Sequence, residues 1–477
     1  MPGLSGLSLF VPKARVPLEA WCGWTGASPD KVKAVVGDAF RVATGADDVY
    51  TLAANAVVRL IERYEVDPSR VGYLVFATES STDNAVGGPT VRGLVDAALA
   101  ARGQRLPREI ETFEMKQACL SGMNGLLAAT RFVTLEPEQV AIVVAGDIAE
   151  YARGSSGEQT QGAGAVAMLV ESEARLLEID PREVGRSSDD RVRDFRKPVR
   201  GGPATELGWS AARPPDFPRF AGSYSTQCYL EAVDRAFVHL ARRTGASFGS
   251  LLDEAALMLL HRPYEKMPQT SVARMFLRKL VDDKQADLLE ATAARAEVKL
   301  DAALAELDAE IDLGGFVAEH GVQADPIPAL APLVRGLSKT PEGREFAESK
   351  GRFGRKVVRE LGNLYSASLP AWIGAGLEQA AQERLDLTGR HVLLFGYGSG
   401  DSSLAIRARL APGWSEAAAR LGFGAALEGA VDIERDTYER AHDRVTPVEL
   451  AASGSVVLER VGTGPEDKGV PYYAYRA

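Results

Sequence analysis

Cys119 stands in Ile110-Glu-Thr-Phe-Glu-Met-Lys-Gln-Ala-Cys119-Leu-Ser-Gly-Met-Asn-Gly, where a strand-like run turns into a small-residue helix start. The first backbone N–H groups of a helix have no intrahelical carbonyl. Their partial positive charge favours a thiolate over a thiol. That placement makes Cys119 a candidate nucleophile, against the alternative of a buried structural cysteine. Glu79 closes the apolar run Val71-Gly-Tyr-Leu-Val-Phe-Ala-Thr-Glu79. Burying a carboxylate there is costly, which sets a candidate general base against a solvent-facing loop glutamate. His261 directly follows Ala255-Ala-Leu-Met-Leu-Leu, and Lys266 follows in the same segment, His261-Arg-Pro-Tyr-Glu-Lys266. The histidine reads as a catalytic group or as a satisfied core residue. Asn363, in Leu361-Gly-Asn363-Leu-Tyr365, reads as a turn residue or an active-site donor. Gly396-Tyr-Gly-Ser399-Gly400 lacks the GxGxxG spacing and reads by itself as a tight turn.

These residues hang on buried strands. Val71–Glu79, Gln139–Asp147 and Gly162–Val170 are near-continuous apolar runs separated by helical segments, as are Ala255–His261 and Arg390–Gly400. That alternation predicts an α/β protein with covered sheets. The glycines of Gly162-Ala-Gly mark a place where another backbone can approach closely. From about 270 to 353 the composition shifts to Ala, Glu, Asp, Leu and Arg. There Leu300, Leu304, Leu307 and Ile311 recur as one helix face. This reads as a helical insertion packing on its own body, with a dimer or partner contact as the alternative. The stretch Val322–Leu333 holds three prolines and is expected to be a loop.

Composition narrows the partners. The 477 residues are 45% hydrophobic and 25% charged, ordinary for a globular protein of more than one core. A net charge of −10 argues against nucleic acid. Three scattered cysteines (Cys22, Cys119, Cys228) give no disulfide framework and suggest a reducing cytosol. No run is long enough to span a bilayer, no secretory signal is evident, and the five histidines lack metal-site spacing.

Taken in order, the motifs resemble one family, the 3-hydroxy-3-methylglutaryl-CoA (HMG-CoA) synthases of the thiolase superfamily. Glu114-Met-Lys116-Gln-Ala118-Cys119 is similar to the nucleophile segment, and Ala77-Thr-Glu79 with Asp83 to the catalytic-glutamate loop. Ala145-Gly-Asp147-Ile-Ala-Glu-Tyr151, the block from Thr160 to Leu169, Asp194-Phe-Arg-Lys-Pro198 and Gly222–Tyr229 follow. The segments around His261, Asn363 and Ser399 complete the series; Asp47-Asp48 resembles the lead into an early helix. Two departures stand out. Leu120 replaces a frequent aromatic, so the wall beside the nucleophile is expected to differ. Ala221 replaces a frequent aspartate.

The resemblance implies a duplicated thiolase fold, layered αβαβα. Its N-terminal half, 1–175, would carry Glu79 and Cys119. Its C-terminal half, 176–477, would carry His261, Asn363 and the insertion. It implies that Cys119 takes an acetyl group from acetyl-CoA and that Glu79 deprotonates the acetyl methyl or supports the water that does so. The carbanion then attacks acetoacetyl-CoA, with His261 on the ketone oxygen. Because a thioester methyl is weakly acidic, Glu79 is expected to be buried beside Cys119. Asn363, Ser399, Tyr365, Lys266, Thr160, Asp83, Asp147 and Asp194 would bind substrate. No cofactor or metal is expected, and the setting would be a cytoplasmic homodimer in the mevalonate pathway. Three rival readings remain: a β-branching synthase acting on acyl carrier protein, a ketoacyl-synthase-III-like enzyme, and a non-catalytic scaffold.

Overall fold

Nine strands form the central sheet: β1 (Gly3–Phe10), β2 (Val71–Ala77), β3 (Glu111–Met115), β4 (Val140–Ala149), β5 (Gly162–Glu171), β6 (Leu177–Ser188), β7 (Ala255–Leu260), β8 (His391–Gly398) and β9 (Ser402–Leu410). This computed structural model describes residues 1–81, 83, 85–191, 194–195, 217–218, 221–443, 450 and 454–477. The strand order is β3-β2-β4-β5-β1-β6-β9-β8-β7. The pattern is duplicated about its middle. β2 runs parallel to β4, β4 pairs antiparallel with β5, and β5 antiparallel with β1. In the same way β7 runs parallel to β8, β8 pairs antiparallel with β9, and β9 antiparallel with β6. The two halves meet through Gly3↔Glu178 and Leu4↔Leu177.

The helices supply the other layers. Helix α1 (Val49–Tyr64) packs on β1, β4 and β5. Asp48 starts it with a capping box, accepting from Tyr50 N at 3.0 Å and Thr51 N at 2.8 Å. Helices α2 (Ser121–Leu135) and α5 (Ser368–Gln382) lie between the halves, touching each other and strands of both. Helix α3 (Ser223–Thr244) covers β6, β8 and β9 from outside. The result is the αβαβα layering that the motifs implied. Strands buried on both faces need side chains that are apolar throughout, which is why they read as runs.

A small three-stranded sheet of Val431–Asp432, Ala14–Pro17 and Ala39–Arg41 sits to one side. Around it Val16, Trp21, Val36, Phe40 and Tyr438 make a separate apolar cluster.

Between β7 and β8 the chain is helical, beginning with α4 (Lys266–Asp282). Two details differ from the sequence reading. The helix expected to carry Leu300, Leu304, Leu307 and Ile311 ends at Asp308, where Ala309 turns extended. Asp308 is drawn to Arg278 at 3.1 Å, and Ile311 packs from beyond the helix end. The expected loop Val322–Leu333 closes earlier, because a helix runs Leu330–Leu337. Pro332 lies in its first turn, where an N–H has no intrahelical partner to lose. Glu306, from the helix Leu300–Asp308, caps that turn, accepting from Leu330 N at 2.7 Å. Ala303, Leu307, Leu330, Leu333 and Leu337 join the main core, so the insertion packs on its own body.

Candidate active site

β3 ends at Met115 and α2 begins at Ser121, and the connection places Cys119 just ahead of the helix. Ala118 takes φ +46°, a left-handed conformation that side chains other than glycine seldom adopt and that clusters at functional sites. Ser121 fixes the turn: its Oγ donates to Ala118 O at 2.7 Å and accepts from Gln117 N at 2.7 Å. From the other half, β8 presses against this turn. A Cβ at Gly398 would lie 2.9 Å from Leu120 Cβ and 3.0 Å from Leu120 N. Position 398 needs glycine because the nucleophile turn rests on it. Leu120 points into that contact at 1% exposure and belongs to the core. The expectation that it alters the wall beside the nucleophile is therefore corrected: it does not line the cavity.

Cys119 Sγ donates to Glu79 Oε2 at 3.0 Å. The thiol is 7% exposed and Glu79 half-buried, so the glutamate is beside the cysteine but less enclosed than expected. Glu79 is held through its backbone. Asp147, fully buried at the end of β4, accepts at Oδ1 from Glu79 N (2.8 Å), Thr78 Oγ1 (2.9 Å), Ser80 N (2.8 Å) and Ser80 Oγ (2.7 Å). Its Oδ2 accepts from Ser366 N at 2.9 Å and from Ser366 Oγ. Asp147 thus ties the Glu79 loop to the Asn363 segment from behind, away from the cavity. Glu114 and Lys116 hold the same loop: Glu114 accepts from Ser81 Oγ (2.5 Å) and Gly87 N (2.9 Å), and Lys116 Nζ donates to Ser81 O (2.7 Å). Asp83 is exposed and accepts from Tyr50 Oη, so the structure places it outside the site.

Above Cys119 opens a cavity of about 390 Å³ that joins the other residues, including His261, Asn363, Thr160, Asp194, Ser399 and Lys266. His261, at the end of β7, is 1% exposed. Its backbone N–H donates to Phe395 O at 2.7 Å, and Tyr229 Oη donates to its carbonyl at 2.8 Å. The first of these bonds continues the β7–β8 pairing by one residue and fixes the imidazole at the strand end. Burial lowers the His261 pKa to about 3, so the ring is neutral. Its Nδ1 has no hydrogen-bond partner among the described residues.

Asn363 reaches the cavity because Gly162 lets its segment cross β5; a Cβ there would lie 2.6 Å from Leu361 O. Asn363 N donates to Thr160 O at 2.9 Å, and its Oδ1 accepts from Tyr365 N at 2.9 Å. Since that partner is a donor, the amide oxygen is taken and the NH2 group is what the side chain offers a ligand. Asp194 is buried, accepts from Tyr397 Oη at 2.6 Å and has its pKa raised by burial. Ser399 follows β8 beside it, and Lys266 is exposed at the rim, at the start of α4. Residues 196–198 of the Asp194–Pro198 block lie outside the described residues. Ala221, the other departure, packs among Tyr224, Cys228 and Val317.

The sequence reading left some residues out. Tyr365, which it named, packs with Tyr151 and Phe195 around Cys119, with ring centroids 5.9 to 6.4 Å apart. Burial raises the pKa of the Tyr151 and Tyr365 hydroxyls, keeping both neutral. Tyr151 and Phe195 sat inside the quoted motifs, and their only signal was aromatic character beside an acidic residue. Among the described residues, no group of three His, Cys, Asp or Glu side chains could hold a metal.

The family profile described as hydroxymethylglutaryl-coenzyme A synthase N terminal matches residues 2–175, and the C-terminal profile matches residues 212–319. The chain belongs to the hydroxymethylglutaryl-CoA synthase family. It is an enzyme of that acyltransferase class. Hydroxymethylglutaryl-CoA synthase A of Dictyostelium discoideum is 28% identical over 85% of this chain and 74% of its own length. The solved structure of MvaS in complex with 3-hydroxy-3-methylglutaryl coenzyme A superposes with a TM-score of 0.76 at 24% identity, covering 100% and 99% of the two chains. The HMG synthase of the curacin biosynthetic pathway, in complex with apo donor-ACP, superposes with a TM-score of 0.71 at 19% identity, covering 99% of each. At these identities the superpositions speak to the fold that carries Cys119 and Glu79. No helix among the described residues is long and apolar enough to cross a membrane.

Proposed function

We propose that this family member joins acetyl-CoA to acetoacetyl-CoA, giving 3-hydroxy-3-methylglutaryl-CoA through an acetyl-Cys119 intermediate. The observation that carries the reading is the 3.0 Å contact between Cys119 Sγ and Glu79 Oε2 at the cavity. Glu79 accepts the thiol proton as the sulfur attacks the acetyl carbonyl and returns it to the departing sulfur, so CoA leaves as its thiol and the carboxylate is restored. The acetyl group, now on Sγ, brings its methyl to the same carboxylate. Glu79 removes a methyl proton, and the carbanion adds to the ketone carbon of acetoacetyl-CoA. A neutral His261 keeps a ring N–H to donate to the ketone oxygen, while Asn363 offers its amide NH2. The alkoxide takes the proton that Glu79 removed, restoring the carboxylate, and water then cleaves the Cys119 thioester.

Tyr151, Tyr365 and Phe195 enclose the acetyl group and limit water around it. Thr160, Ser399 and Asp194 shape the pocket, and Lys266 meets carrier phosphates at the rim. Asp147 acts through the Glu79 loop rather than on substrate. The same machinery works on acyl groups held by acyl carrier protein, because it engages the acyl end only. We place the enzyme in the cytoplasm, as a homodimer, in the mevalonate pathway.

The test separates the half-reactions. Glu79→Gln should slow acetyl transfer to Cys119, measured by mass spectrometry, by about 100-fold, and should slow condensation from Cys119 already acetylated by at least about 100-fold as well. Intact condensation alongside normal acetylation would remove Glu79 from the role of carbon base.

A further inference from the structure

The cavity wall from Tyr151 to Gln161 is held by a helix that the reaction does not use. That helix, α6 (Arg435–His442), belongs to the small apolar cluster beside the main body. Tyr438 is buried among Trp24 and Phe40, and its single hydroxyl gathers the later part of the wall segment, at Glu158 and Gln161. It donates to Glu158 Oε1 at 2.7 Å and accepts from Gln161 Nε2 at 2.6 Å. Glu158, 3% exposed, accepts in turn from Gly154 N at 2.7 Å. At the helix end, His442 faces two acceptors: Nε2 lies 2.9 Å from Tyr151 O, toward which it presents a hydrogen, and Nδ1 lies 3.0 Å from Asp443 Oδ1. Asp443, next in sequence, takes Arg153 at 3.1 and 2.6 Å. The segment so held contributes Tyr151, Gly157, Gln159 and Thr160 to the cavity, and Thr160 O receives Asn363 N.

We propose that α6 is a positioning latch: Tyr438 and His442 set the wall that receives the acyl carrier's arm, and through it the affinity for the carrier. The inference rests on reading the cavity as the carrier-thioester site. The geometry favours this over simple packing because polar groups, not apolar surface, make the connection. Without the Tyr438 hydroxyl, buried Glu158 keeps the Gly154 N–H on Oε2 but loses the donor on Oε1, and the loop shifts to satisfy that oxygen.

The experiment compares the full-length chain with Tyr438→Phe, His442→Ala and His442→Gln. Glutamine can place an N–H where His442 Nε2 stands. Readouts are KM and kcat for acetyl-CoA, the dissociation constant of CoA by titration calorimetry, and amide exchange over residues 151–161. Tyr438→Phe and His442→Ala should each raise KM and the CoA dissociation constant about fivefold, the worth of one net hydrogen bond. Exchange over 151–161 should quicken in both, and His442→Gln should return all three readouts to within about twofold of the parent. A purely structural role would lower kcat through a smaller folded fraction and leave KM alone; that result overturns the proposal. So does unchanged exchange over 151–161, or a His442→Gln variant as weak as His442→Ala. A parent that binds CoA without condensing would refute the functional reading only, and the CoA affinities would still decide the latch.

Discussion

Gly398→Ala tests whether the C-terminal half positions the nucleophile. The added methyl would run into Gln117 O and stand 2.9 Å from Leu120 Cβ and 3.0 Å from Leu120 N. Two of these three atoms are backbone, so no side-chain rotation relieves the clash. Overpacking of this kind costs about 1–3 kcal/mol. The turn that must yield contains Ala118, already at φ +46°, and leads directly into Cys119. A displacement of roughly 1 Å at a reacting atom is worth about 100-fold in rate. The variant should therefore acetylate Cys119 about 100-fold more slowly while remaining folded. The assay is quenched-flow acetylation followed by mass spectrometry, beside thermal unfolding. Gly93→Ala serves as control, because a Cβ there meets nothing within 4 Å inside the helix Gly87–Ala100. A Gly398→Ala enzyme that acetylates like the Gly93→Ala control would refute the reasoning that β8 sets the nucleophile turn.

Three further outcomes follow from buried charge. Asp147→Ala removes the acceptor shared by Glu79 N, Thr78, Ser80 and Ser366. It should lower stability by about 2–5 kcal/mol in urea titration and abolish condensation. His261 titrates near 3 in the folded chain and near 6.5 unfolded, so the unfolded state binds its proton first as pH falls. Its contribution is complete above about pH 6.5 and lost toward pH 3, a deficit of about 2 kcal/mol at pH 5 that His261→Asn should remove. Asp401 behaves oppositely: burial holds its pKa up at about 7 against 3.8, so its contribution is present below pH 3.8 and lost as pH rises through 7. That difference is worth about 4 kcal/mol. Asp401→Asn should flatten stability between pH 4 and 8, since Arg191 keeps Asp189 at 2.8 Å and Glu231 at 3.0 Å.

The strands were legible because burial on both faces forces continuous apolar runs, as in Val71–Ala77 and Val140–Ala149. Glu79 and His261 were legible because each is a reactive residue at the end of such a run, and Cys119 because it stands just ahead of a helix start. What was hidden depends on distance across the chain. Asp147 and Asp83 look alike in a motif, yet one is the buried knot behind Glu79 and the other an exposed partner of Tyr50. Leu120 looked like a cavity wall because it follows the nucleophile, but the turn into α2 sets it onto Gly396 and Gly398. The helix ends at Asp308, whose carboxylate meets Arg278, 30 positions away, a contact that no local periodicity reports. Tyr438 and His442 gave no signal because their partners lie 280 and 291 residues earlier in the chain.

The central claim is that Cys119 carries the acetyl group that condenses with a ketone. The direct measurement supplies labelled acetyl-CoA and acetoacetyl-CoA, with the same acyl groups on carrier protein alongside and Cys119→Ser as control. Label should appear on a peptide containing Cys119 and pass into 3-hydroxy-3-methylglutaryl-CoA, and do neither with Cys119→Ser. Turnover confined to the carrier-protein substrates would move the reading to β-branching. Absence of acyl-Cys119 with either carrier would contradict the account.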